Sequence, residues 1–213
     1  METGVKQIKL QDYIENPCKT SSLPYWKTKT ITVPNGMLIL HDEQYLPDEF
    51  NAYTDERFFR LKHDLNHISR PSLLQGYSLV CATAKEYADH INVCYSDISV
   101  TEEYLISYTE HPVYSKDLWI AVMDKNTNQI VASGIAELDL EVHEGMLEWV
   151  QVTKEYRGKG LGQFVVNELL CRMKGRVHFV TVSGKVDNVT KPEKMYRKCG
   201  FAGTDVWHIL REK

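Results

Sequence analysis

The sequence predicts an α/β (α+β) fold, a mixed central sheet flanked by helices. Three observations carry that prediction. Beyond residue 75, short β-branched runs alternate with helical apolar stripes. Two of the runs are joined by the hairpin-type connection Lys125-Asn126-Thr127-Asn128. A triplet of glycines separates one apolar run from a helix-like run. The order read from these signals is ββ hairpins followed by β-α-β-α-β.

The first 75 residues have a different texture, rich in Pro, Asn, Asp, His and aromatics. KTITV and MLILH read as short strands about the turn Pro34-Asn35-Gly36. RFFRLKHDLNHI, residues 57–68, reads as a helix with Phe58, Leu61, Leu65 and Ile68 on one stripe, ended at Arg70-Pro71. PYWK at 24–27 reads as an aromatic pair in a loop, pinning this region down or lining a pocket. The chain is therefore divided into an N-terminal extension, 1–75, and a domain, 76–213.

Within that domain YSLVCAT reads as a strand, and AKEYADHINVCY and TEEYLISYTE as helices. DLWIAVMD, QIVASGIAELD and GMLEWVQV read as strands. The helix after the glycines has Val165, Val166, Leu169, Leu170 and Met173 as its core stripe and Gly175 as its stop. RVHFVTV is a buried strand by its continuous β-branched character. VTKPEKMYRKCG is a short helix with Pro192 in its first turn. FAGTDVWHIL, with Trp207, closes the chain as an outer strand and a candidate homodimer edge.

Composition narrows the function. The chain has 213 residues, 43% apolar, enough for a core. A net charge of −4 argues against a nucleic-acid partner. Five cysteines with no CxxC pair argue against a disulfide framework or zinc ribbon. No run approaches the length of a membrane span, and METGVKQIKLQDYIEN lacks a signal-peptide core, so the expected location is cytoplasmic.

The glycine stretch carries the chemistry. Arg157-Gly158-Lys159-Gly160-Leu161-Gly162 follows a strand and opens a helix. A helix N-terminus offers unpaired N–H groups and partial positive charge, and glycine lets the backbone approach a ligand closely. Arg157 and Lys159 add cationic charge, so the stretch reads as a phosphate cradle. It lacks the Ser or Thr of a P-loop, and its GxGxG spacing departs from the dinucleotide GxGxxG. The bland alternative is a tight strand-to-helix turn bearing exposed basic residues.

The context resembles the GNAT superfamily of N-acetyltransferases. Val152 followed by Arg157 to Gly162 is similar to that family's cofactor loop. Asn188, then Tyr196-Arg197-Lys198-Cys199-Gly200-Phe201, is similar to its second signature, with one extra residue between Asn188 and Tyr196. The resemblance covers residues 76–213 and implies the GNAT fold with acetyl-coenzyme A (acetyl-CoA) as co-substrate and no metal. It implies that backbone groups of Arg157, Gly158, Lys159, Gly160, Leu161 and Gly162 hold the pyrophosphate, and that backbone groups of Val150, Gln151 and Val152 pair with the pantetheine arm. Asn188, or its neighbour Asp187, occupies the second corner with Tyr196. The implied acceptor is a small-molecule or peptide amine.

An aliphatic amine near pKa 10.4 must shed a proton before it attacks. Glu148 is the candidate base, on the expectation that Glu148, Val150 and Val152 share one strand face. Glu137 and Asp139 on the neighbouring strand are rivals. Tyr196 is the candidate hydrogen-bond donor to the leaving thiolate. Full proton transfer from a phenol near pKa 10 to a thiolate near 8.5 is uphill by about 2 kcal/mol. Cys199 is discounted as a nucleophile because no partner His is apparent nearby. His63 and His67 at i, i+4 echo a metal-ligand spacing, without a third ligand, and read instead as polar positions on a helix. A non-catalytic regulatory module that binds coenzyme A is the competing class.

Overall fold

The computed structural model describes residues 8–213, so the opening residues of the N-terminal reading, 1–7, lie outside the described residues. In chain order the elements are α1 (Leu10–Glu15), α2 (Pro17–Thr20), α3 (Tyr25–Thr28), β1 (Met37–His41), β2 (Tyr53–His63) and β3 (Tyr77–Val80). Then come α4 (Ala84–Cys94), α5 (Glu102–Tyr108), β4 (Trp119–Asp124), β5 (Gln129–Asp139) and β6 (Glu144–Val152). The chain ends with α6 (Leu161–Met173), β7 (Phe179–Lys185), α7 (Pro192–Lys198) and β8 (Ala202–Glu212). The architecture is α/β, as the sequence predicts.

The chain divides into two compact units. One comprises the described residues up to His63 with Thr181–Arg197 and Phe201–Lys213. Its strands lie in the order β1-β8-β2-β7. The other comprises Asp64–Val180 with Lys198–Gly200, and its strands lie in the order β6-β5-β4-β3.

In the first unit four expectations fail. Residues 57–63 are not helical: β2 pairs antiparallel with β8, with Phe58 opposite Trp207 and Arg57 opposite His208. The buried residues of β2 are Phe59, Arg60, Leu61 and His63, with Phe58 only half-buried, so the stripe of Phe58, Leu61, Leu65 and Ile68 is not its buried face. A partner strand about 150 residues away in sequence decided between helix and strand, which no local pattern records. His63 therefore ends a strand, and Leu65 takes a left-handed φ of 62°, so His63 and His67 share no helix face. Likewise β8 is not an outer strand. It pairs with β1 on one side and β2 on the other, which removes it as a dimer edge. Trp207 is buried and its indole N–H donates to the Cys18 carbonyl at 2.8 Å. KTITV is not a strand, although the turn at Pro34–Met37 does form, with Gly36 at φ 75°. PYWK supplies the short helix α3 rather than a loop.

The second unit is an antiparallel ribbon covered on both faces. A capping box starts α4: Thr83 Oγ1 accepts from the Glu86 amide at 3.2 Å, and Glu86 Oε2 accepts from the Thr83 amide at 2.7 Å. Tyr87, Ala88 and Ile91 of α4 and Leu105 of α5 pack on Ala121 of β4 and Ile135 of β5. On the opposite face, a Cβ at Gly134 would meet Val165 and Leu169 of α6, so the ribbon lacks side chains where that helix presses closest. Val165, Val166, Leu169, Leu170 and Met173 are fully buried, as their stripe predicts. Gly175, at φ 80°, follows the helix end. Among the described residues no helix is long and apolar enough to cross a membrane.

Candidate active site

The glycine loop has the geometry its composition implies. Gly158 and Gly160 hold φ of 78° and 82°, a region that side-chain-bearing residues avoid. A Cβ at either would meet nothing within 4 Å, so their free face is open. Gly160 is the left-handed N-cap of α6, whose first turn contains Leu161 and Gly162. Arg157 turns back and donates from Nε to the Val152 carbonyl at 3.0 Å, tying the loop to the end of β6. Lys159 Nζ rests 4.5 Å from the centroid of the Tyr156 ring, and the Tyr156 hydroxyl donates to Asp124 at 2.9 Å. A local cation therefore stands over an aromatic platform beside exposed helix amides, an arrangement suited to a phosphate.

The strand before the loop is broken in register. Trp149 pairs with Ile135 but Leu147 pairs with Ala136, which leaves Glu148 as the extra residue of a β-bulge. The bulge shifts the alternation. Val150 lies opposite Gly134 and so turns towards α6, while Trp149 packs with the α4–α5 cluster. The expected shared face of Glu148, Val150 and Val152 does not form. Glu148 instead bears on Tyr108 of α5, whose phenol is pushed up first by burial, then by its hydrogen bond with Tyr104, then by the Glu148 charge. The Tyr104 and Tyr108 hydroxyls are 3.0 Å apart, and the Tyr108 ring centroid is 5.0 Å from that of His111. His111 Nδ1 is 3.6 Å from Glu137 Oε1. Glu137 and Asp139 are buried on this same side, since alternation along β5 puts them with Ile135.

Sequence reasoning missed a buried polar chain behind β6. Gln151 Nε2 donates to Ser133 Oγ, which is 2.8 Å from His90 Nδ1. His90 Nε2 is 3.0 Å from Thr153 Oγ1 and 3.6 Å from Cys94 Sγ. An amide nitrogen only donates, so Ser133 Oγ accepts from Gln151 Nε2, and the same oxygen lies within hydrogen-bond distance of His90 Nδ1. Burial pulls the His90 imidazole down to about 4, partly opposed by a hydrogen bond with the Val131 backbone. The imidazole is therefore neutral. The chain clamps β6 at Gln151 and the turn at Thr153, immediately before the glycine loop.

Of the second signature, Asn188, Tyr196, Arg197 and Phe201 belong to the other unit, and Lys198 to Gly200 to the unit of the glycine loop. Gly200, with φ 98°, ends α7, and the Phe201 amide donates to the Tyr196 carbonyl at 3.1 Å. Tyr196 is buried, its ring 6.3 Å from Phe59 and 5.7 Å from Phe201. The Asn188 side chain accepts from the Thr190 amide at 2.9 Å and hydroxyl at 2.7 Å, closing its own turn. Asp187 is held by Arg57 through two hydrogen bonds, at 2.9 and 3.1 Å. Val150 to Val152, Arg157 to Gly162 and Glu148 thus belong to one compact unit, Asn188 and Tyr196 to the other. Burial pushes the Cys199 thiol up to about 11, which suits a core residue.

Residues 115–202 match the family model described as the acetyltransferase (GNAT) domain. The fold is similar to a GCN5-related N-acetyltransferase from Sphaerobacter thermophilus, at TM-score 0.66 and 15% identity, covering 88% of this chain and 64% of that one. A GNAT-family acetyltransferase from Colwellia psychrerythraea gives 0.60 and 14%, covering 88% and 69%. A Drosophila protein gives 0.59 and 14%, covering 77% and 53%. This chain thus spans about half to two thirds of the length of the first solved structures it matches. At these identities the likeness is one of fold. No curated protein matches the sequence.

Proposed function

We propose that this chain transfers the acetyl group of acetyl-CoA to a primary amine by direct attack in a ternary complex. The observation that carries the reading is the open cradle at Gly158 and Gly160, set at the start of a 13-residue helix beside Arg157 and Lys159. Backbone amides from Arg157 to Gly162 hold the pyrophosphate, and backbone groups of Val150, Gln151 and Val152 pair with the pantetheine arm. When bound, acetyl-CoA supplies an activated acyl thioester. Glu148 takes one proton from the acceptor ammonium, and a second proton ends on the departing thiolate as the C–N bond forms and the C–S bond breaks. Tyr196 donates a hydrogen bond to that sulfur and Asn188 steadies the same corner. The acetyltransferase domain is proposed as 76–213, with 1–75 as its extension, acting in the cytoplasm without a metal.

Gly160→Glu tests the reading by filling the cradle with a side chain and a negative charge at a positive φ. Calorimetry should detect no acetyl-CoA binding by this variant while its thermal unfolding stays cooperative. Unchanged affinity would sink the loop assignment. In the native protein, thiol release that depends on added amine supports transfer. Binding without release across a broad amine panel would support the regulatory module instead.

A further inference from the structure

We infer that Tyr156, outside the glycine stretch, is a positioning residue for the cofactor: its ring keeps the Lys159 ammonium ready for a phosphate, and Asp124 keeps the ring in place. This inference rests on the acetyl-transfer reading above. Arg157, Gly158, Lys159 and Gly160 are all exposed. An exposed loop with two left-handed glycines has wide conformational freedom unless neighbouring groups restrain it. Two side chains at its start supply the restraint. Arg157 Nε donates to the Val152 carbonyl of β6 at 3.0 Å, and the Tyr156 hydroxyl donates to Asp124 Oδ2 at 2.9 Å. Tyr77, Asp124, Tyr156 and Lys159 lie in the one compact unit that holds the loop.

Asp124 is a fixed point. It ends β4 and is 8% exposed. Its Oδ1 accepts from the Asn126 amide and its carbonyl from the Asn128 amide, both at 2.8 Å. The Asn126 amide first, then the Tyr156 hydroxyl, the Thr127 amide and the Lys159 charge, hold its carboxyl below the usual range against burial, so it accepts as an anion. The Tyr77 ring of β3 meets the Tyr156 ring nearly edge-on, at 79° with centroids 6.4 Å apart. Lys159 Nζ stands 4.5 Å from the centroid of this restrained ring. A lysine loses much rotamer freedom when it grips a phosphate. A ring that already attracts the ammonium removes part of that loss beforehand. The ammonium has three donors and the ring takes up one side of it, so a phosphate is met without leaving the ring. Tyr156 therefore acts on the cofactor through Lys159.

Calorimetry of acetyl-CoA binding to Tyr156→Leu, Lys159→Met and the double variant tests the inference. Lys159→Met should raise Kd about tenfold, the loss of one charge-assisted contact. Tyr156→Leu should raise it about fivefold, the size of a cation–π contact. The double variant should stay near tenfold, about the value of Lys159→Met alone, because the ring has nothing to hold once the lysine is gone. Unchanged Kd in either single variant, or a rise of about fiftyfold in the double variant, would overturn the inference. A general loosening of the fold multiplies with the loss of the lysine, so the cycle separates positioning from structure. Tyr156→Phe keeps the ring and should recover most of the affinity; a loss equal to that of Tyr156→Leu would overturn the inference as well. Unfolding curves accompany each variant. If Tyr156→Leu is unfolded at the assay temperature, Tyr156→Met replaces it in the same cycle. If the native protein binds no acetyl-CoA, the acetyl-transfer reading itself fails and this inference with it.

Discussion

The β5–β6 ribbon has two faces built from alternate residues of the same two strands, and they obey opposite rules. Towards α6 it presents Ala132, Gly134, Ala136 and Leu138, with Gly145, Leu147, Val150 and Val152 beside them. These are small or aliphatic, and α6 packs down on them with Val165, Leu169 and Met173. Towards α4 and α5 the same strands present Ser133, Glu137, Asp139, Glu144 and Gln151 among Ile135, Met146 and Trp149. Burial is similar on both sides, but polarity is not. A buried apolar face is explained by the area it removes from water. A buried polar face is stabilised only where each group finds a partner.

The largest effect should come from breaking the apolar face. Leu169→Ala empties a fully buried position against Gly134 and should cost about 2–5 kcal/mol, read by urea unfolding. The polar face should respond to pH where the apolar face does not. The His90 imidazole sits at about 4 when folded against 6.5 when exposed, so the unfolded chain binds the extra proton between those values. Stability should therefore fall as pH drops from about 6.5 to about 4 and level off below, a total near 3 kcal/mol. The difference curve between the native protein and His90→Asn should isolate this slope; parallel curves would contradict a buried neutral imidazole. Ser133→Ala sharpens the contrast, because it strands the Gln151 amide nitrogen and His90 Nδ1 in the interior. It should cost about 1–3 kcal/mol, more than an exposed Ser→Ala, by thermal denaturation. Gly134→Ala on the opposite face adds one methyl, 2.5 Å from Val165 and 2.9 Å from Leu169. It should cost about 1–3 kcal/mol by overpacking, at the lower end if Val165 and Leu169 yield.

The shape of the glycine loop and of the helix behind it was legible because its signals are local. Gly158 and Gly160 lie where φ is positive, Gly175 follows α6, and the apolar stripe of that helix is its buried face. Each of these follows from the preferences of a few neighbouring residues. The sequence also held a clue to the bulge that went unused: in Met146-Leu147-Glu148-Trp149-Val150 the alternation breaks at Glu148. That one extra residue turned the candidate base away from the face it was expected to share with Val150 and Val152.

What the sequence determined by itself was therefore the α/β class, the left-handed turn at Gly158 and Gly160, and the helix behind it. Tertiary structure decided the strand at 53–63, the central position of β8, the face on which Glu148 stands, and the chain from Gln151 through Ser133 to His90. Pairing partners and shared faces depend on residues brought together from distant parts of the chain. One inserted residue is enough to invert a strand's sides, and no window of local sequence contains the partner that makes the choice.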